Sequence, residues 1–275
     1  MDGDAVAAVS EAEHAMWDLN SANHPAIAPL ARLLLRTESI ASSKIEGMQL
    51  DVHRLARAEA PFVPPPEHVA PLLKEMCAHV NRDGVSPLIQ AAMAHAQFET
   101  IHPFADGNGR TGRALIHVIL RRRGVVQKFV PPISLVFAAG RRRYIDGLTA
   151  FRGDNISAWI LDFAAAATRA SLLAQRFVAD VEKLRAKWRD MLRAHSSPRA
   201  DAVAWSIIDL LPAHPIITAG AAIAATSRDK SSVSRGLDEL CAAGVLRPAT
   251  ESKRNRLFEA PELLKLIQRI EQGRE

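Results

Sequence analysis

The chain has 275 residues, of which 48% are hydrophobic, 5% aromatic and 24% charged. This composition is ordinary for an Ala- and Leu-rich helical protein, excludes a disordered or collagen-like chain, and the length suits two domains. The net charge of +5 permits contact with nucleic acid without requiring it. The two cysteines, Cys77 and Cys241, do not have the spacing of metal ligands. No apolar run reaches the length of a membrane span, and the N-terminal residues are acidic rather than basic. We therefore expect a cytoplasmic protein.

The first helical pattern of interest spans Ile27–Ile45, and its end overlaps the sequence SSKIEG at residues 42–47. Ser42 and Glu46 are four residues apart, so a helix would place them on one face. Gly47 suits the position that ends such a helix. By themselves these residues fit a solvated helix end equally well. The apolar anchors expected in this helix are Leu30, Leu33, Leu34 and Ile45.

Two further segments lead to the centre of the chain. The proline-rich stretch Ala60–Pro71 predicts an irregular connector. Val85–Thr100 predicts a helix with apolar residues at helical spacing, and this helix runs into His102. Within it, we expect His95 to be a structural residue rather than a second base.

The most informative stretch is HPFADGNGRTGR at residues 102–113. Its three glycines permit backbone turns in which free N–H groups form a concave nest for anions. A helix that begins near Gly109 or Arg110 would add the positive end of its dipole. This backbone pattern predicts a phosphate site at the start of a helix.

The side chains of the same stretch have matching chemistry. Arg110 and Arg113 are three residues apart, so they share a helix face, and guanidinium groups bind phosphate bidentately. Asp106 is the kind of ligand that Mg²⁺ prefers beside substrate phosphates. His102 can accept a proton near neutral pH. A purely structural turn would need few of these groups, and neither a P-loop nor a dinucleotide-binding glycine pattern is present.

This stretch resembles the signature of Fic domains, HPFx[D/E]GNGRxxR, and has every fixed position of it. Such enzymes mostly transfer AMP from ATP to a hydroxyl side chain of a target protein. The resemblance implies that His102 deprotonates the hydroxyl, that Asp106 holds Mg²⁺ against the α- and β-phosphates, and that Phe104 is a core anchor. Arg110 would bind the β/γ end of ATP and Arg113 its γ-phosphate. The other implied ATP-binding residues are Gly107, Asn108 and Gly109 in the anion hole, with Thr111 and Gly112 beside them.

The segment at 42–47 resembles the inhibitory motif [S/T]xxxE[G/N] of self-inhibited Fic proteins, with Ser42, Glu46 and Gly47 in the fixed positions. In the family, the glutamate pairs with the second arginine of the signature, which is Arg113 in this chain. The resemblance implies that a carboxylate there repels the triphosphate and keeps resting activity low. As an alternative, Glu46 would orient a water molecule so that the site removes AMP from a modified protein.

The family also implies a flap before the motif and an adenine-binding helix after it. We expect the flap in the irregular part before Val85–Thr100. Pro131–Leu135 suggests a short irregular link, and Arg141–Arg152 resembles the adenine-binding helix. Many members have Tyr-Tyr in that helix, whereas this chain has Tyr144 followed by isoleucine, and Tyr144 is its only tyrosine. Tyr144 is therefore the expected adenine contact.

The last third of the chain begins with a long helical stretch, Ala164–His195, that stops at a Ser-Ser-Pro sequence. Three shorter helices and two extended segments follow, and this order resembles a winged helix. DNA binding is one interpretation, with the third helix in the major groove and the wing on phosphates; protein contact or dimerisation is the other. The helices expected are Ala200–Leu211, Thr218–Ala225 and Ser231–Ala243, and the candidate DNA contacts are Ser231, Ser232, Ser234, Arg235, Lys253, Arg254 and Arg256.

The sequence thus predicts a mainly α protein with a Fic helical core, a small β-hairpin flap and a C-terminal winged helix-turn-helix domain. The predicted divisions are an N-terminal region 1–59 with its inhibitory helix at about 37–47, a Fic core 60–170, a linker helix 171–198 and a winged helix 199–275. The predicted function is Mg²⁺- and ATP-dependent AMP transfer to a Ser, Thr or Tyr of a target protein or of the chain itself, in a homodimer inhibited by Glu46. The alternatives are AMP removal or transfer of another nucleotide or a phosphate, and a DNA-binding regulator whose Fic domain senses nucleotide.

Overall fold

A computed structural model describes residues 2–21, 28–47, 64–249 and 256–272. The chain divides into two compact units, one of residues 1–23 and 34–174 and one of residues 24–33 and 175–275. The first unit contains the stretch at 102–113 and the segment at 42–47. The mainly α fold is confirmed, whereas the finer four-part division of the chain stays a prediction.

Helices make up most of the described chain, and several lie close to their predicted positions. The helix predicted over Arg141–Arg152 has those bounds, and the one predicted over Val85–Thr100 begins at Pro87 because Ser86 caps it by accepting the N–H of Ile89. In chain order the helices are α1 (Gly3–Ser21), α2 (Ala28–Gly47), α3 (Pro66–Val80), α4 (Pro87–Ile101), α5 (Asn108–Arg122), α6 (Ile133–Ala139), α7 (Arg141–Arg152), α8 (Ile156–His195), α9 (Val203–Leu210), α10 (Ala219–Thr226), α11 (Lys230–Ala242) and α12 (Pro261–Glu271).

Two proline-containing segments that were predicted to be irregular are partly helical. The stretch Ala60–Pro71 was expected to be irregular, but α3 begins within it at Pro66. Proline is well suited to the first turn of a helix, where its missing N–H costs nothing, and α3 also accommodates Pro71 in its interior. The link predicted over Pro131–Leu135 is likewise shorter than expected, because α6 begins at Ile133. Residues 60–63 lie outside the described part.

The core of the first unit lies between α1, α4, α5 and α8, and its largest fully buried side chains include Trp159 and Phe163. Both belong to α8, which is long and apolar enough over 18 residues to cross a membrane by length and composition alone. The expectation that no apolar run has this length is therefore wrong for α8. Half of that stretch is buried inside the protein, which is the pattern of a core helix. The four anchors expected in α2 are all buried.

The second unit carries helices α9 to α12 and one antiparallel sheet. Its strands are β1 (Ile216–Thr218), β2 (Arg247–Pro248) and β3 (Leu257–Glu259), in the order β1-β3-β2. Ile217 pairs with Phe258 in register, and Pro248 also pairs with Phe258 on its other side. Three helices followed by two strands is the order from which the winged helix was predicted, and that assignment stays a prediction. Strand β1 and helix α12 were not predicted. All three strands of the described chain lie here, so the β-hairpin flap also stays a prediction; residues 48–63 lie outside the described residues.

In the second unit, α11 packs closely on α9, and this packing can be tested by substituting a glycine. A Cβ added at Gly236 would lie 2.6 Å from Cγ1 of Val203 and 3.2 Å from the backbone nitrogen of Ala204. Overpacking of this kind costs about 1–3 kcal/mol, and alanine offsets about 1 kcal/mol of that cost in a helix interior. We therefore expect Gly236→Ala to lower the free energy of unfolding by up to about 2 kcal/mol. Gly220→Ala is the control, because its nearest atom is 3.8 Å away and alanine favours a helix by about 1 kcal/mol. Urea unfolding that is equal for the two variants would contradict the packing.

Candidate active site

The site is built on the loop between α4 and α5, which starts at His102. This residue ends α4, with its N–H bonded to the carbonyl oxygen of Phe98 at 2.9 Å, and it adopts a left-handed conformation with φ of 50°. Such a φ is uncommon for residues other than glycine and is concentrated at functional sites. The ring is partly buried, and its Nδ1 has no hydrogen-bond partner within the described chain. The loop therefore presents His102 in a conformation that helix α4 alone would not give.

Asn108 fixes the shape of this loop. Its side-chain oxygen accepts the N–H of Phe104 at 2.8 Å, and its side-chain nitrogen donates to the carbonyl oxygen of Phe104 at 2.5 Å. Asn108 is buried, so its amide group serves the loop rather than an open anion hole. The prediction that Phe104 is a core anchor is wrong: the side chain is 50% exposed, with its ring 6.0 Å from that of Phe98. Both backbone groups of Phe104 are held by Asn108, and its side chain remains at the surface.

The glycines and the start of α5 have the backbone geometry from which an anion site was predicted. Gly107 precedes the helix in a left-handed conformation with φ of 84°, and α5 begins at Asn108. The first N–H groups of a helix lack partners within it and attract anions. A Cβ added at Gly109 would lie only 2.0 Å from Oε1 of Glu46 and 2.8 Å from an amino nitrogen of Arg113. The carboxylate of Glu46 therefore lies directly against the backbone of Gly109, in the first turn of α5.

Arg113 connects α5 to α2. Its Nε donates to the hydroxyl of Ser42 at 2.9 Å, and one amino group donates to the Ser42 carbonyl oxygen at 2.9 Å and to Oε1 of Glu46 at 2.7 Å. The side chain is only 2% exposed. Burial works against its charge, but the neighbouring Tyr144, Glu46 and Glu99 outweigh burial and raise the pKa of Arg113. The structure thus brings together Ser42, Glu46 and Arg113, while Gly47 ends α2 beside them.

Asp106 and Arg110 lie on the exposed side of the loop and form an ion pair of 3.0 Å. The described residues contain no group of three or more His, Cys, Asp or Glu side chains that could hold a metal ion by themselves. A single exposed carboxylate nevertheless suits Mg²⁺, which is commonly bound by one or two carboxylates and substrate phosphates. Asp106 therefore fits a metal ion that arrives with a nucleotide. Of the other implied residues, Thr111 is exposed and Gly112 is buried.

Tyr144 lies in the core rather than in an open pocket. It is 7% exposed, its ring stacks on Phe137 with centroids 4.4 Å apart, and its hydroxyl is 2.9 Å from Nε2 of His95. An adenine contact would need an accessible ring face, so the structure gives no support to that role for Tyr144. His95 was expected to be structural, and it is fully buried. The link between His95 and Tyr144 was not foreseen, because the two residues are 49 positions apart.

A second polar contact between α2 and α5 was also missed. Glu38 is buried and accepts hydrogen bonds from Nε2 of His117 at 2.9 Å, from the N–H of Ser134 at 2.8 Å and from the Ser134 hydroxyl. Glu38, Ser42 and Glu46 are spaced by four, so one face of α2 carries all three. That repeated polar spacing within an apolar helix was the signal available in the sequence.

Some of the candidate DNA contacts are bonded to other residues of the protein, and others are exposed. The hydroxyl of Ser232 donates to Asp229, the N-cap residue of α11, and Arg256 pairs with Asp238 at 3.0 Å while lying over the ring of Phe258. Arg235 is exposed. Among the others, Ser231 donates to Asp229, Ser234 is exposed, and Lys253 and Arg254 lie outside the described residues. DNA binding stays a prediction.

The comparisons with known proteins agree with the motif and the fold. Residues 31–120 match the model of the Fic/DOC family. These residues include the two polar contacts between α2 and α5 and the whole loop between α4 and α5. Over these residues the chain is similar to the Fic/DOC family.

Curated relatives match this part of the chain. Protein adenylyltransferase fic-1 of Caenorhabditis elegans is 32% identical over 107 residues, which are 38% of this chain and 19% of that protein. A probable protein adenylyltransferase, aq_aa38 of Aquifex aeolicus, is 35% identical over 91 residues, which are 32% of this chain and 26% of that protein. The matches thus span about a fifth to a quarter of these relatives.

One solved structure resembles nearly the whole chain. A Fic family protein from Desulfovibrio desulfuricans G20 superposes with a TM-score of 0.52 at 15% identity, and the match covers 94% of this chain and 96% of that one. At this identity the likeness concerns the fold alone. It agrees with a helical Fic fold that extends beyond the residues matched by the family model.

Proposed function

We propose that this protein transfers AMP from ATP to a Ser, Thr or Tyr hydroxyl of a target protein or of itself, and that Glu46 inhibits the reaction. Support comes from the adenylyltransferase names of the relatives and from a loop that keeps every fixed position of the Fic signature. The observation that carries the proposal is the position of Glu46. An anion from α2 lies against Gly109 and bonds Arg113 at 2.7 Å, where the resemblance places the phosphates.

In the proposed reaction, His102 accepts the proton of the target hydroxyl as its oxygen bonds to the α-phosphorus. The bond from that phosphorus to the bridging α–β oxygen breaks, and pyrophosphate leaves. Free N–H groups of the first turn of α5, together with Arg110, would stabilise the charge on the phosphate oxygens. Asp106 would hold Mg²⁺, which supplies positive charge to the phosphates when bound. Since such transfers depend mainly on positioning and electrostatics, the placement of these groups matters more than any covalent step.

Inhibition follows from competition for one cation. Arg113 is the implied partner of the γ-phosphate, but in this structure it is bonded to Ser42 and Glu46. A triphosphate that reaches Arg113 must displace the carboxylate or accept a like charge within contact distance. The resting protein would then bind ATP weakly or with its phosphates misplaced, and the site would be complete but inactive.

The reaction is tested with ATP carrying a label on either the α- or the γ-phosphate. The full-length Glu46→Gly protein is incubated with Mg²⁺ and each ATP, and protein-bound label is measured after denaturation. We expect the α-label, and not the γ-label, on the protein. Transfer of the γ-label would show a phosphate-transferring enzyme instead, and absence of both labels, with the target protein supplied from a cell extract as well, would contradict the proposal.

A further inference from the structure

Helices α2 and α5 meet through three pairs of residues that follow one another at a spacing of four in each helix. In every pair, a step of one turn toward the start of α2 is matched by a step of one turn toward the end of α5. The pairs are Glu46 with Gly109, Ser42 with Arg113, and Glu38 with His117. The two helices therefore run in opposite directions along this contact, and all three pairs share one register.

The Glu38 carboxylate also joins α2 to a third helix. Its Oε2 accepts the backbone N–H of Ser134 in α6 at 2.8 Å, and its Oε1 accepts the Ser134 hydroxyl and lies 2.9 Å from Nε2 of His117. A carboxylate only accepts hydrogen bonds, and each of these neighbours can donate one. Nδ1 of His117 is buried and has no hydrogen-bond partner among the described residues. The contact with Glu38 therefore orients the His117 ring.

Burial makes this contact a means of specifying position rather than of adding stability. Glu38 is 4% exposed, and the side chain of His117 is 12% exposed. A buried charged contact adds little net stability over apolar residues of the same volume, because the groups lose their hydration. A shifted helix, however, would leave the buried carboxylate without its donors, which is strongly unfavourable. The carboxylate thus selects one position of α2, a helix that buried apolar residues such as Ala41 and Ile45 already hold in the protein.

We propose that Glu38 is a positioning residue for the inhibitory glutamate: it fixes the register of α2 on α5 at which Glu46 reaches Arg113. This inference rests on the proposed function. Glu38 acts through Glu46 and not on the nucleotide. When its contacts with His117 and Ser134 are lost, α2 shifts on α5, and Glu46 spends part of the time away from Arg113. ATP binds to that fraction of the protein, so the apparent affinity for ATP rises with the fraction.

Glu38→Ala tests this inference with Glu46 left in place. We expect the affinity for ATP to rise about three- to tenfold, because lost hydrogen bonds to a charged group favour the shifted helix, and the gain should not exceed that of Glu46→Gly. Affinity for AMP should be unchanged, since AMP has no γ-phosphate to compete for Arg113. Calorimetry on the full chain, with Mg²⁺ and each nucleotide, measures both affinities.

Ser39→Ala is the matched control. Ser39 is the next residue of α2, is exposed, and donates its hydroxyl to the carbonyl oxygen of Leu35 in the same helix. Both substitutions introduce alanine, the best helix former, at neighbouring positions, so helix propensity changes in the same direction. Ser39→Ala should bind ATP as the wild type does. A gain equal to that of Glu38→Ala would assign the effect to helix propensity and overturn the inference.

His117→Leu breaks the same contact from α5. It should raise the affinity for ATP by a similar factor, and the Glu38→Ala, His117→Leu double variant should bind ATP no more tightly than the stronger single variant, because both remove one contact. Glu38→Gln keeps one acceptor oxygen and should give a smaller gain than Glu38→Ala. Thermal unfolding identifies a variant that fails to fold, and Glu38→Gln or His117→Leu then serves for the test.

Dependence on Glu46 separates a positioning role from a structural one. In the Glu46→Gly background, Glu38→Ala should leave the affinity for ATP within about twofold, because no carboxylate remains to be positioned. The inference is overturned by unchanged or lower ATP affinity in a folded Glu38→Ala protein, by an equal gain for AMP, or by a further gain on top of Glu46→Gly. If the Glu46→Gly protein gains affinity for ATP but transfers no AMP, the proposed reaction fails, and the ATP affinities still decide the role of Glu38.

Discussion

Glu46→Gly should transfer AMP about 10 to 100 times faster than the wild-type protein at low ATP. The carboxylate is 2.7 Å from Arg113 and lies against Gly109, so its removal frees both the cation and the space in the first turn of α5. The expected range is the equivalent of one hydrogen bond between charged groups, about 1.5–3 kcal/mol. The initial rate of α-labelled ATP incorporation measures this effect.

Two further variants separate the carboxylate from other effects of glycine. Lys44→Gly lies in the same helical turn on an exposed position and loses as much helix propensity, about 1 kcal/mol, but keeps Glu46. It should behave as the wild type. Glu46→Gln removes the charge but not the volume over Gly109, so an intermediate rate is expected. Activation by Lys44→Gly equal to that by Glu46→Gly would show that loosening of α2, rather than loss of the carboxylate, is responsible.

Loss of the proposed base should have the largest effect of all. In the Glu46→Gly background, replacement of His102 should lower the rate of AMP transfer by about 10² to 10⁴, the usual contribution of a general base. ATP affinity should change little, because the imidazole acts on the target hydroxyl rather than on the phosphates. Rates and ATP affinities of the same protein preparations measure the two effects.

The conformation of His102 determines which substitution is informative. With φ at 50°, an alanine here would be strained and could move the loop, whereas asparagine tolerates the left-handed region. His102→Asn should therefore keep the loop and still abolish transfer. His102→Ala alone could fail for the wrong reason. Near-normal transfer by His102→Asn would show that the proton leaves by another route.

Several helices could be predicted from short stretches of the sequence. The helix at Arg141–Arg152 was predicted from its resemblance to the family's adenine-binding helix, and a glycine lies at each of its observed ends. The irregular connector predicted over Ala60–Pro71 failed because proline interrupts a helix interior but is favoured in its first turn, as at Pro66 in α3. Composition alone cannot distinguish these positions of proline.

At the site, the motifs predicted which residues meet but not what surrounds them. Ser42, Glu46 and Arg113 lie together as the two resemblances implied, although they are about 70 positions apart. Asn108 and Phe104 were harder to predict, because the role of each depends on the path of the loop. The pairs His95–Tyr144 and Glu38–His117 join separate helices. The spacing by four of Glu38, Ser42 and Glu46 marks a polar face of α2 but does not identify the partner of Glu38, and nothing in the sequence indicates the His95–Tyr144 contact.

The central claim is that Glu46 and the γ-phosphate compete for Arg113. Calorimetry of ATP and AMP binding, in the presence of Mg²⁺, to the wild-type and Glu46→Gly proteins tests it most directly. The competition predicts that the substitution increases affinity for ATP about tenfold or more and leaves affinity for AMP nearly unchanged, since only ATP reaches Arg113. An equal gain for both nucleotides, or no gain for ATP, would contradict it.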